Sequence, residues 1–242
     1  MAGRFTGKIV LVAGGTGGLG QAVTLAFLEE SANVLVTYRR QEEFVRLDKA
    51  ASASAATGSS LQSHQVDVTD EAAVRRLTDG IISSRGRVDV LVNAVGGYAG
   101  GMALWETDST VFEQMLSLNL RSGYVLSRVI VPVMLKQRSG AIVNVASRTA
   151  EDHAAGAAAY AASKAAAVAM IDSLAADLKG TGVRANSVLP SIIDTEANRK
   201  AMPKADFSKW PKPSDIARVI LFLSSDEARL IHGAAVPVYG ND

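Results

Sequence analysis

The stretch Lys8-Ile-Val-Leu-Val-Ala-Gly14-Gly-Thr-Gly-Gly-Leu-Gly20 decides the fold that we expect for this chain. Its first half is an apolar run, typical of a strand that is covered on both faces. Its second half is a glycine-rich turn that leads into an expected helix. Glycines let the backbone turn tightly and approach a pyrophosphate, and the following helix N-terminus attracts the negative charge. The turn alone is a weak signal, because tight strand–helix turns also need glycine.

Apolar runs and helical stretches alternate along the rest of the chain. This alternation predicts an α/β fold, a three-layer, doubly wound parallel sheet of about seven strands (a Rossmann fold), in a single domain over 1–242. The expected strands are Lys8–Ala13, Asn33–Thr37, Leu61–Val66, Val88–Asn93, Ala141–Ala146, Val183–Leu189 and Ala234–Val238. The expected helices lie near 18–30, 42–56, 70–85, 110–137, 158–179 and 214–224.

Three features interrupt this alternation. Pro132 is expected to bend the helix over 110–137 or to break it locally. The glycine-dense segment Gly96–Gly101 is interpreted as a flexible loop. The segment 197–213 fits neither a strand nor a helix, and long connections of this kind are often lids or binding loops. We therefore expect a substrate lid over about 192–213.

Composition excludes several classes of function. The 25 basic and 24 acidic residues give a net charge of +1, which argues against a nucleic-acid partner. The absence of cysteine excludes disulfides and thiolate catalysis,. The histidines show no metal-ligand spacing, so no metal is expected. No signal-peptide pattern or membrane span is recognised, which favours a cytoplasmic protein with no membrane partner. The histidines are His64, His153 and His232.

Tyr160 and Lys164 lie four residues apart on an expected helix and therefore share a face. A free phenol has a pKa of about 10 and is a poor acid–base catalyst at neutral pH. A nearby ammonium favours the phenolate and lowers that pKa. Ser147, at the end of an expected strand, can complete a proton-transfer site. Each residue taken singly also has a structural explanation, such as an amphipathic helix edge.

The segment Val36-Thr37-Tyr38-Arg39-Arg40 at the end of the second strand reports on the nucleotide. A site that prefers NAD usually places an acidic side chain here. No carboxylate stands in this segment, and two guanidiniums can meet a 2′-phosphate. We therefore expect NADP(H) in preference to NAD(H), although either arginine can be a solvated helix-start residue. Asp67 is expected to contact adenine or to cap the helix that starts near Asp70.

Together these segments resemble the short-chain dehydrogenases/reductases from the first strand to the last. Tyr160 follows Ser147 by 13 residues, the interval that is usual in that family. Several landmarks in the right order are far more specific than any one of them. The matching segments are the turn with Gly14, Gly18 and Gly20, then Asp67-Val68, Asn93-Ala94-Val95-Gly96, Asn119, Ser147 with Tyr160 and Lys164, and Pro190–Thr195.

The resemblance implies hydride transfer between a nicotinamide and a carbonyl carbon, or the reverse from an alcohol. Tyr160 is then expected to donate the proton, Ser147 to stabilise the carbonyl oxygen, and Lys164 to lower the tyrosine pKa and hold the ribose. Asn119 is expected to hold a water that links Lys164 to solvent. A homotetramer or homodimer is also implied. The expected cofactor-binding residues are Gly14, Thr16, Gly17, Gly18, Leu19, Gly20, Tyr38, Arg39, Arg40, Asp67, Val68, Asn93, Ala94, Val95, Tyr160, Lys164, Pro190, Ile193 and Thr195.

The chain departs from the family pattern at a few positions. Ala13 replaces a threonine before the glycine turn, so one side-chain hydrogen bond is expected to be missing there. Ala94 and Val95 alter the fourth-strand segment, and Ser191 replaces a glycine. None of these changes removes a proton donor, so we expect them to tune the fit of the cofactor.

The identity of the substrate stays open at this stage. A 3-oxoacyl carrier-protein ketone or another small-molecule ketone is one possibility, and a dihydropteridine-reductase-like activity is a lower-ranked one. A non-catalytic NADP-binding sensor is the alternative to an enzyme, but it has no need of Tyr160 and Lys164. An epimerase needs a larger C-terminal domain, and Ser147 lacks the glycine pattern of a hydrolase elbow. Arg148 can meet an anionic substrate or pair with Glu151 or Asp152.

Overall fold

The structure, a computed structural model, describes residues 3–241, so the ends of the expected 1–242 domain at Met1, Ala2 and Asp242 lie outside the described residues. Its strands are β1 (Ile9–Ala13), β2 (Asn33–Tyr38), β3 (Ser60–Gln65), β4 (Val90–Asn93), β5 (Gly140–Val145), β6 (Val183–Pro190) and β7 (Ala235–Val238). They form one parallel sheet in the order β3-β2-β1-β4-β5-β6-β7. The predicted seven-stranded parallel sheet is confirmed.

Helices cover both faces of this sheet. Successive residues of a strand point to opposite faces, so Val10 and Phe27 belong to the core on one side while Leu11 and Ile130 belong to the core on the other,. Each such fully buried side chain contributes about 1.5–3 kcal/mol, and the three-layer prediction is confirmed. The helices are α1 (Gly18–Glu29), α2 (Gln41–Ser54), α3 (Glu71–Arg85), α4 (Ser109–Leu116), α5 (Ser122–Gln137), α6 (Ala158–Asp177), α7 (Glu196–Ala201) and α8 (Pro213–Ser224).

The strand order reverses at β1, which pairs with β2 on one side and β4 on the other. In the register, Val12 is opposite Val36 and Ala13 is opposite Asn93. Crossover connections on the two sides of such a point diverge, and this opens a crevice beyond the carboxyl ends of the strands. The glycine turn leaves β1 at this point.

The helix expected over 110–137 is interrupted at Ser117–Arg121, where the backbone forms a π-helix. The expected local break at Pro132 is wrong, because α5 continues through that residue. Pro132 lies on the exposed side of α5, where water can satisfy the carbonyl that loses its amide partner,. The irregularity instead carries Asn119 into the interior, where it is buried.

The expected structureless connection over 197–213 contains regular structure. It includes most of α7 and a 3₁₀ turn at Phe207–Lys209. Trp210 is buried, and the Asp194 N–H donates to the Pro211 carbonyl (3.0 Å). The chain end holds it as well, because the Asn241 N–H donates to the Lys209 carbonyl (3.1 Å). The expectation that the segment 197–213 contains no helix is therefore wrong.

Candidate active site

Ser147 and Tyr160 meet beyond the carboxyl end of β5. Ser147 lies two residues after the strand and begins a 3₁₀ turn, where its Oγ accepts the Thr149 N–H (3.2 Å). Tyr160 lies in the first turn of α6, and its phenol is hydrogen-bonded to the Ser147 hydroxyl. Two hydroxyl groups from different elements therefore lie together at the sheet edge where ligands bind in this fold.

Lys164 lies one helical turn after Tyr160 and is only 4% exposed. Its Nζ donates to the Val145 carbonyl (2.9 Å) and lies 6.0 Å from the centre of the Tyr160 ring. Burial lowers its pKa to about 8, because removal from water disfavours the charged form. Ser147, Tyr160 and Lys164 form what we call the catalytic end of the cleft.

Gly96 completes the surroundings of the lysine. A Cβ at this position would lie 3.2 Å from Lys164 Nζ and 2.9 Å from Asn119 Oδ1. Only glycine therefore leaves both polar groups where they are. This close approach also brings the expected loop over Gly96–Gly101 against the catalytic end.

Asn119 joins this loop to α6. Its Oδ1 accepts the Gly97 N–H (3.0 Å), while its Nδ2 donates to the Gly97 carbonyl and to Ser163 Oγ (both 3.0 Å). Ser163 Oγ in turn donates to the Tyr160 carbonyl (2.7 Å). Both amide hydrogens are used in these bonds, so only an Oδ1 lone pair is left to accept from water. The π-helix thus positions a side chain that braces the helix carrying Tyr160.

The pKa of the Tyr160 phenol is raised, chiefly by burial. The Ser147 hydrogen bond lowers it in part, and Tyr98 raises it further; the two tyrosine rings meet edge to face at 5.0 Å. The Lys164 ammonium is hydrogen-bonded to the Val145 carbonyl and lies 6.0 Å from the centre of the Tyr160 ring. That it lowers the pKa of the phenol stays a prediction.

The glycine turn fits a cradle for an anion. Gly14 has a φ of +71°, and a Cβ on Gly20 would collide with the Gly14 carbonyl. The helix that follows has Gly17 as its N-cap, with no side chain that caps its amides, so these can meet a phosphate. A Cβ on Gly18 would lie 2.9 Å from Thr195 Cγ2, which closes the turn from the opposite side.

Thr37 supplies a side-chain hydrogen bond at the glycine turn, where Ala13 was expected to leave one missing. The Gly14 N–H donates to Thr37 Oγ1 (3.1 Å), and Thr37 is buried. Thr24 holds the next residue, because its Oγ1 donates to the Gly15 carbonyl (3.2 Å). The register explains the substitution, since β2 lies beside β1 and Thr37 follows Val36, the partner of Val12.

A cleft of about 1010 Å³ extends from this turn, large enough for a dinucleotide,. Its inner end reaches Gly96 and so adjoins Lys164. Most of the residues that the sequence predicts for cofactor binding line it. These are Gly14, Thr16, Gly17, Gly18, Leu19, Tyr38, Arg39, Arg40, Asp67, Val68, Ala94, Val95 and Thr195.

Six predicted cofactor-binding residues do not line this cleft; Tyr160 and Lys164 belong to the catalytic end, and the other four lie behind the wall. Gly20 lies beneath the turn against Gly14. Asn93 is buried, donates to Asn144 Oδ1 (2.9 Å) and accepts the Val95 N–H (3.2 Å). Pro190 ends β6 in the interior, and the Ile193 side chain packs against the core. These four support the wall from behind, and their contact with the cofactor stays a prediction.

The cleft wall also contains residues that the sequence analysis missed. Glu43 and Arg46, both on α2, face the ends of β2 and β3. Glu43 accepts a hydrogen bond from Thr16 Oγ1 (3.1 Å) and forms a salt bridge with Arg40. Arg39, Arg40, Glu43 and Arg46 form what we call the arginine end of the cleft. The spacing of Arg40 and Glu43, three residues apart at a helix start, was the available signal.

Asp67 follows β3 and lines the cleft with the arginines, and it does not cap α3. Its Oδ1 accepts the Thr69 N–H (2.9 Å) and the Thr69 hydroxyl (2.7 Å). These bonds hold the pKa of this carboxyl below its usual value, and Arg39 lowers it further. The N-cap is Asp70, which accepts the Ala72 N–H (2.9 Å).

Arg148 pairs with Asp152, with 2.8 Å between Arg148 Nε and Asp152 Oδ2. Its guanidinium also lies 5.1 Å from the centre of the Tyr239 ring. The Tyr239 hydroxyl donates to Glu151 Oε2 (2.8 Å). The residue after Ser147 is therefore held within a polar cluster that includes the C-terminal segment.

Metal and membrane features are not found in the part of the chain that the structure covers, 3–241. No group of three potential metal ligands comes together there. No helix in that range has the length and apolar character needed to cross a membrane.

Comparison with known proteins identifies the family. Residues 8–206 match the family model for short chain dehydrogenases. Meso-2,3-butanediol dehydrogenase of Serratia marcescens is 34% identical over 98% of this chain and 95% of that protein. The 3-oxoacyl-(acyl-carrier-protein) reductase FabG of Thermotoga maritima is 30% identical over 98% of each chain. The solved structure of ElxO with NADP bound has a TM-score of 0.89, 30% identity, and coverage of 96% of this chain and 97% of that one.

The resemblance found in the sequence is confirmed by these matches, which extend from the first strand to the last. The chain belongs to the short chain dehydrogenase family and is an oxidoreductase that uses a nicotinamide cofactor to act on CH–OH or C=O groups.

Proposed function

We propose that this protein is an NADP(H)-dependent reductase that interconverts a small-molecule carbonyl compound and its alcohol. The main observation that supports this proposal is the hydrogen-bonded pair of Ser147 and Tyr160, with Lys164 one turn away, next to the inner end of a dinucleotide-sized cleft. A 3-oxoacyl carrier-protein ketone or another simple ketone is the substrate class. A relative named as a 3-oxoacyl reductase supports the first of these.

In the reduction, the substrate carbonyl oxygen accepts a hydrogen bond from the Ser147 hydroxyl and a proton from the Tyr160 phenol. A bound nicotinamide cofactor supplies the hydride to the carbonyl carbon. Ser147 stabilises the charge that develops on the oxygen. Tyr160 keeps its proton before the reaction, because burial raises the pKa of the phenol. The Ser147 hydrogen bond lowers that pKa in part, which favours release of the proton,.

Lys164 holds the ribose next to the nicotinamide and replaces the proton that Tyr160 gives up. Its pKa of about 8 lies close to neutrality, which suits a group that must both hold and release a proton. Asn119 braces the same helix and offers its remaining Oδ1 lone pair to a water that connects Lys164 with solvent.

The preference for NADP(H) is argued from charge. Three guanidiniums, Arg39, Arg40 and Arg46, line the arginine end of the cleft. A 2′-phosphate is an anion for which arginine is the preferred partner. The NADP-bound relative at 30% identity agrees with this assignment.

The lid, the assembly and the location complete the proposal. The segment 192–213 is assigned as the substrate lid, and its proximity to the glycine turn supports this, since a Cβ on Gly18 would lie 2.9 Å from Thr195 Cγ2. Exposed apolar side chains on α5 and α8 favour a homodimer or homotetramer. They include Tyr124, Leu135 and Phe222. The proposed location is the cytoplasm.

Tyr160→Phe tests the proposed chemistry. The wild type is first assayed with ketones and aldehydes and with NADPH and NADH, followed by nicotinamide absorbance. On the best substrate, the variant should lose about a hundredfold or more in kcat, because the proton donor is removed. Tyr124→Phe removes an exposed hydroxyl on α5 and is the control that should keep activity.

Unchanged turnover by Tyr160→Phe would contradict the acid assignment. NADPH binding with no turnover over the whole panel would favour a sensor protein instead. A wild-type kcat/KM that is higher with NADH than with NADPH would contradict the cofactor preference.

A further inference from the structure

Glu43 is a carboxylate within a group of arginines, where a phosphate-binding site is proposed. Its side chain is only 18% exposed, whereas that of Arg40 is 75% exposed. One oxygen, Oε2, accepts the Thr16 hydroxyl (3.1 Å), and the other, Oε1, pairs with the Arg40 guanidinium. Glu43 therefore bridges the glycine turn and the start of α2.

Both partners of Glu43 are groups that a phosphate can use. The Thr16 hydroxyl has one hydrogen to donate, and it is directed to Glu43,. The Arg40 Nη2 is likewise engaged by the carboxylate. Thr16 and Arg40 both line the cleft, so the carboxylate engages the Thr16 hydroxyl and one nitrogen of Arg40 at the place where the nucleotide is proposed to bind.

Arg39 differs from Arg40 in its contacts. Within residues 3–241 its guanidinium forms no hydrogen bond or salt bridge, although it contributes to lowering the pKa of Asp67. Arg46 likewise forms no salt bridge within the described range and interacts only at longer distance with Glu196. The guanidinium readiest to meet an incoming phosphate is therefore that of Arg39, with Arg40 held back.

We propose that Glu43 is a specificity-determining residue that withholds Arg40 from the 2′-phosphate and so limits the preference for NADP(H) over NAD(H). This inference rests on the proposed function, since it refines how the same site selects its cofactor. A phosphate that approaches Arg40 must displace a carboxylate of the same sign of charge, and close like charges oppose binding. NAD(H) carries no phosphate at this position and does not meet this cost.

The test compares Glu43→Gln with Glu42→Gln. In Glu43→Gln the new side chain keeps the shape and an oxygen acceptor for Thr16 but loses the charge that pairs with Arg40. Glu42 lies in the same first turn of α2, is exposed and does not line the cleft. It therefore controls for the general loss of one negative charge near the site.

Direct titration with NADPH and NADH, followed by nicotinamide fluorescence, measures Kd for both nucleotides. Glu43→Gln should lower the Kd for NADPH by about tenfold, since a released guanidinium gains a charge-assisted bond to phosphate. The Kd for NADH should stay within about twofold. Glu42→Gln should change both constants by less than about twofold.

The inference would be overturned if Glu43→Gln improved the affinity for NADPH no more than Glu42→Gln does. It would also be overturned if Glu43→Gln bound NADPH more weakly than the wild type, which would mean that Glu43 orients Arg40 toward the phosphate. The double variant Arg40→Met/Glu43→Gln completes the cycle. If Arg40 is the group withheld, the double variant should bind NADPH no more tightly than Arg40→Met alone. Tighter binding by the double variant would show that Glu43 does not act through Arg40.

Failure of the proposed function gives a different result. In that case wild-type protein binds neither nucleotide, or Tyr160→Phe keeps full turnover. If wild-type protein binds and uses NADPH while Glu43→Gln leaves both constants unchanged, only the inference about Glu43 fails.

Discussion

The catalytic end and the arginine end of the cleft are built in opposite ways. At the catalytic end, Lys164 is 4% exposed and donates to a backbone carbonyl. At the arginine end, Arg40 is 75% exposed and pairs with a carboxylate. A buried charge feels low dielectric and keeps its full desolvation cost, while an exposed charge is screened by water and salt. Substitutions at the first end should therefore have large effects, and those at the second smaller, graded ones.

Lys164→Met is the strongest test of this contrast. Activity should fall about a hundredfold or more, because the group proposed to hold the ribose and supply protons is lost. Stability should nevertheless rise by about 1–2 kcal/mol. The shift of the lysine pKa to about 8 corresponds to a burial cost of about 3 kcal/mol, which is offset in part by the hydrogen bond to Val145 that the variant loses.

The stability gain should depend on pH in a defined direction. Between pH 8 and about 10.5 the unfolded chain holds a proton on Lys164 that the folded protein has released, so wild-type stability rises with pH in this window,. The advantage of Lys164→Met should therefore be largest below pH 8 and shrink above it. Urea unfolding of both proteins at pH 7 and pH 9.5 measures this, and equal differences at the two values would refute the buried-charge account.

Gly96→Ala should have the next largest effect. The added methyl group would lie 2.9 Å from Asn119 Oδ1 and 3.2 Å from Lys164 Nζ, so at least one of them must move. We expect kcat to fall about tenfold while the fold is kept, since a displacement near the reacting groups is costly. Gly97→Ala is the control, because its methyl group meets the movable end of Leu118 at 3.1 Å. Equal kcat losses in both variants would contradict a specific role of Gly96.

Thr37→Val should have the smallest effect and act on cofactor binding alone. It removes the acceptor of the Gly14 N–H at the start of the glycine turn, at a cost of about 1 kcal/mol. The Kd for NADPH should rise about threefold to fivefold. Thr78→Val alters an equally buried threonine that bonds only within its own helix, to the Val74 carbonyl. Weakened NADPH binding in Thr78→Val to the same degree would show that the effect comes from general loosening.

The sequence predicts well those parts of the site that are encoded locally. The apolar run of β1, the glycine turn and the spacing of Tyr160 and Lys164 depend only on neighbouring residues, and the structure places them as expected. The replacement of the Ala13 hydrogen bond by Thr37 depends on strand register, which one strand alone does not reveal. Glu43 reaches the cleft only because α2 folds back toward the glycine turn.

Two local errors have different origins. The expected break at Pro132 fails because a proline on the exposed side of a long helix can be tolerated,. The helix α7 was not predicted, although its N-cap Thr195, which accepts the Asn198 N–H (3.2 Å), is a residue type that favours a helix start,. Its six residues are too few to produce a clear apolar period,.

The π-helix at Ser117–Arg121 gives the long helical segment one residue more than a regular helix needs,. Deleting that extra residue would let the helix run straight from α4 into α5, with the apolar face of α5 still turned to the sheet. Asn119 would then rotate out of reach of Gly97 and Ser163. Length variation among related chains at this point should therefore be rare, since a shorter segment would still fold but would no longer carry the brace beneath the catalytic helix.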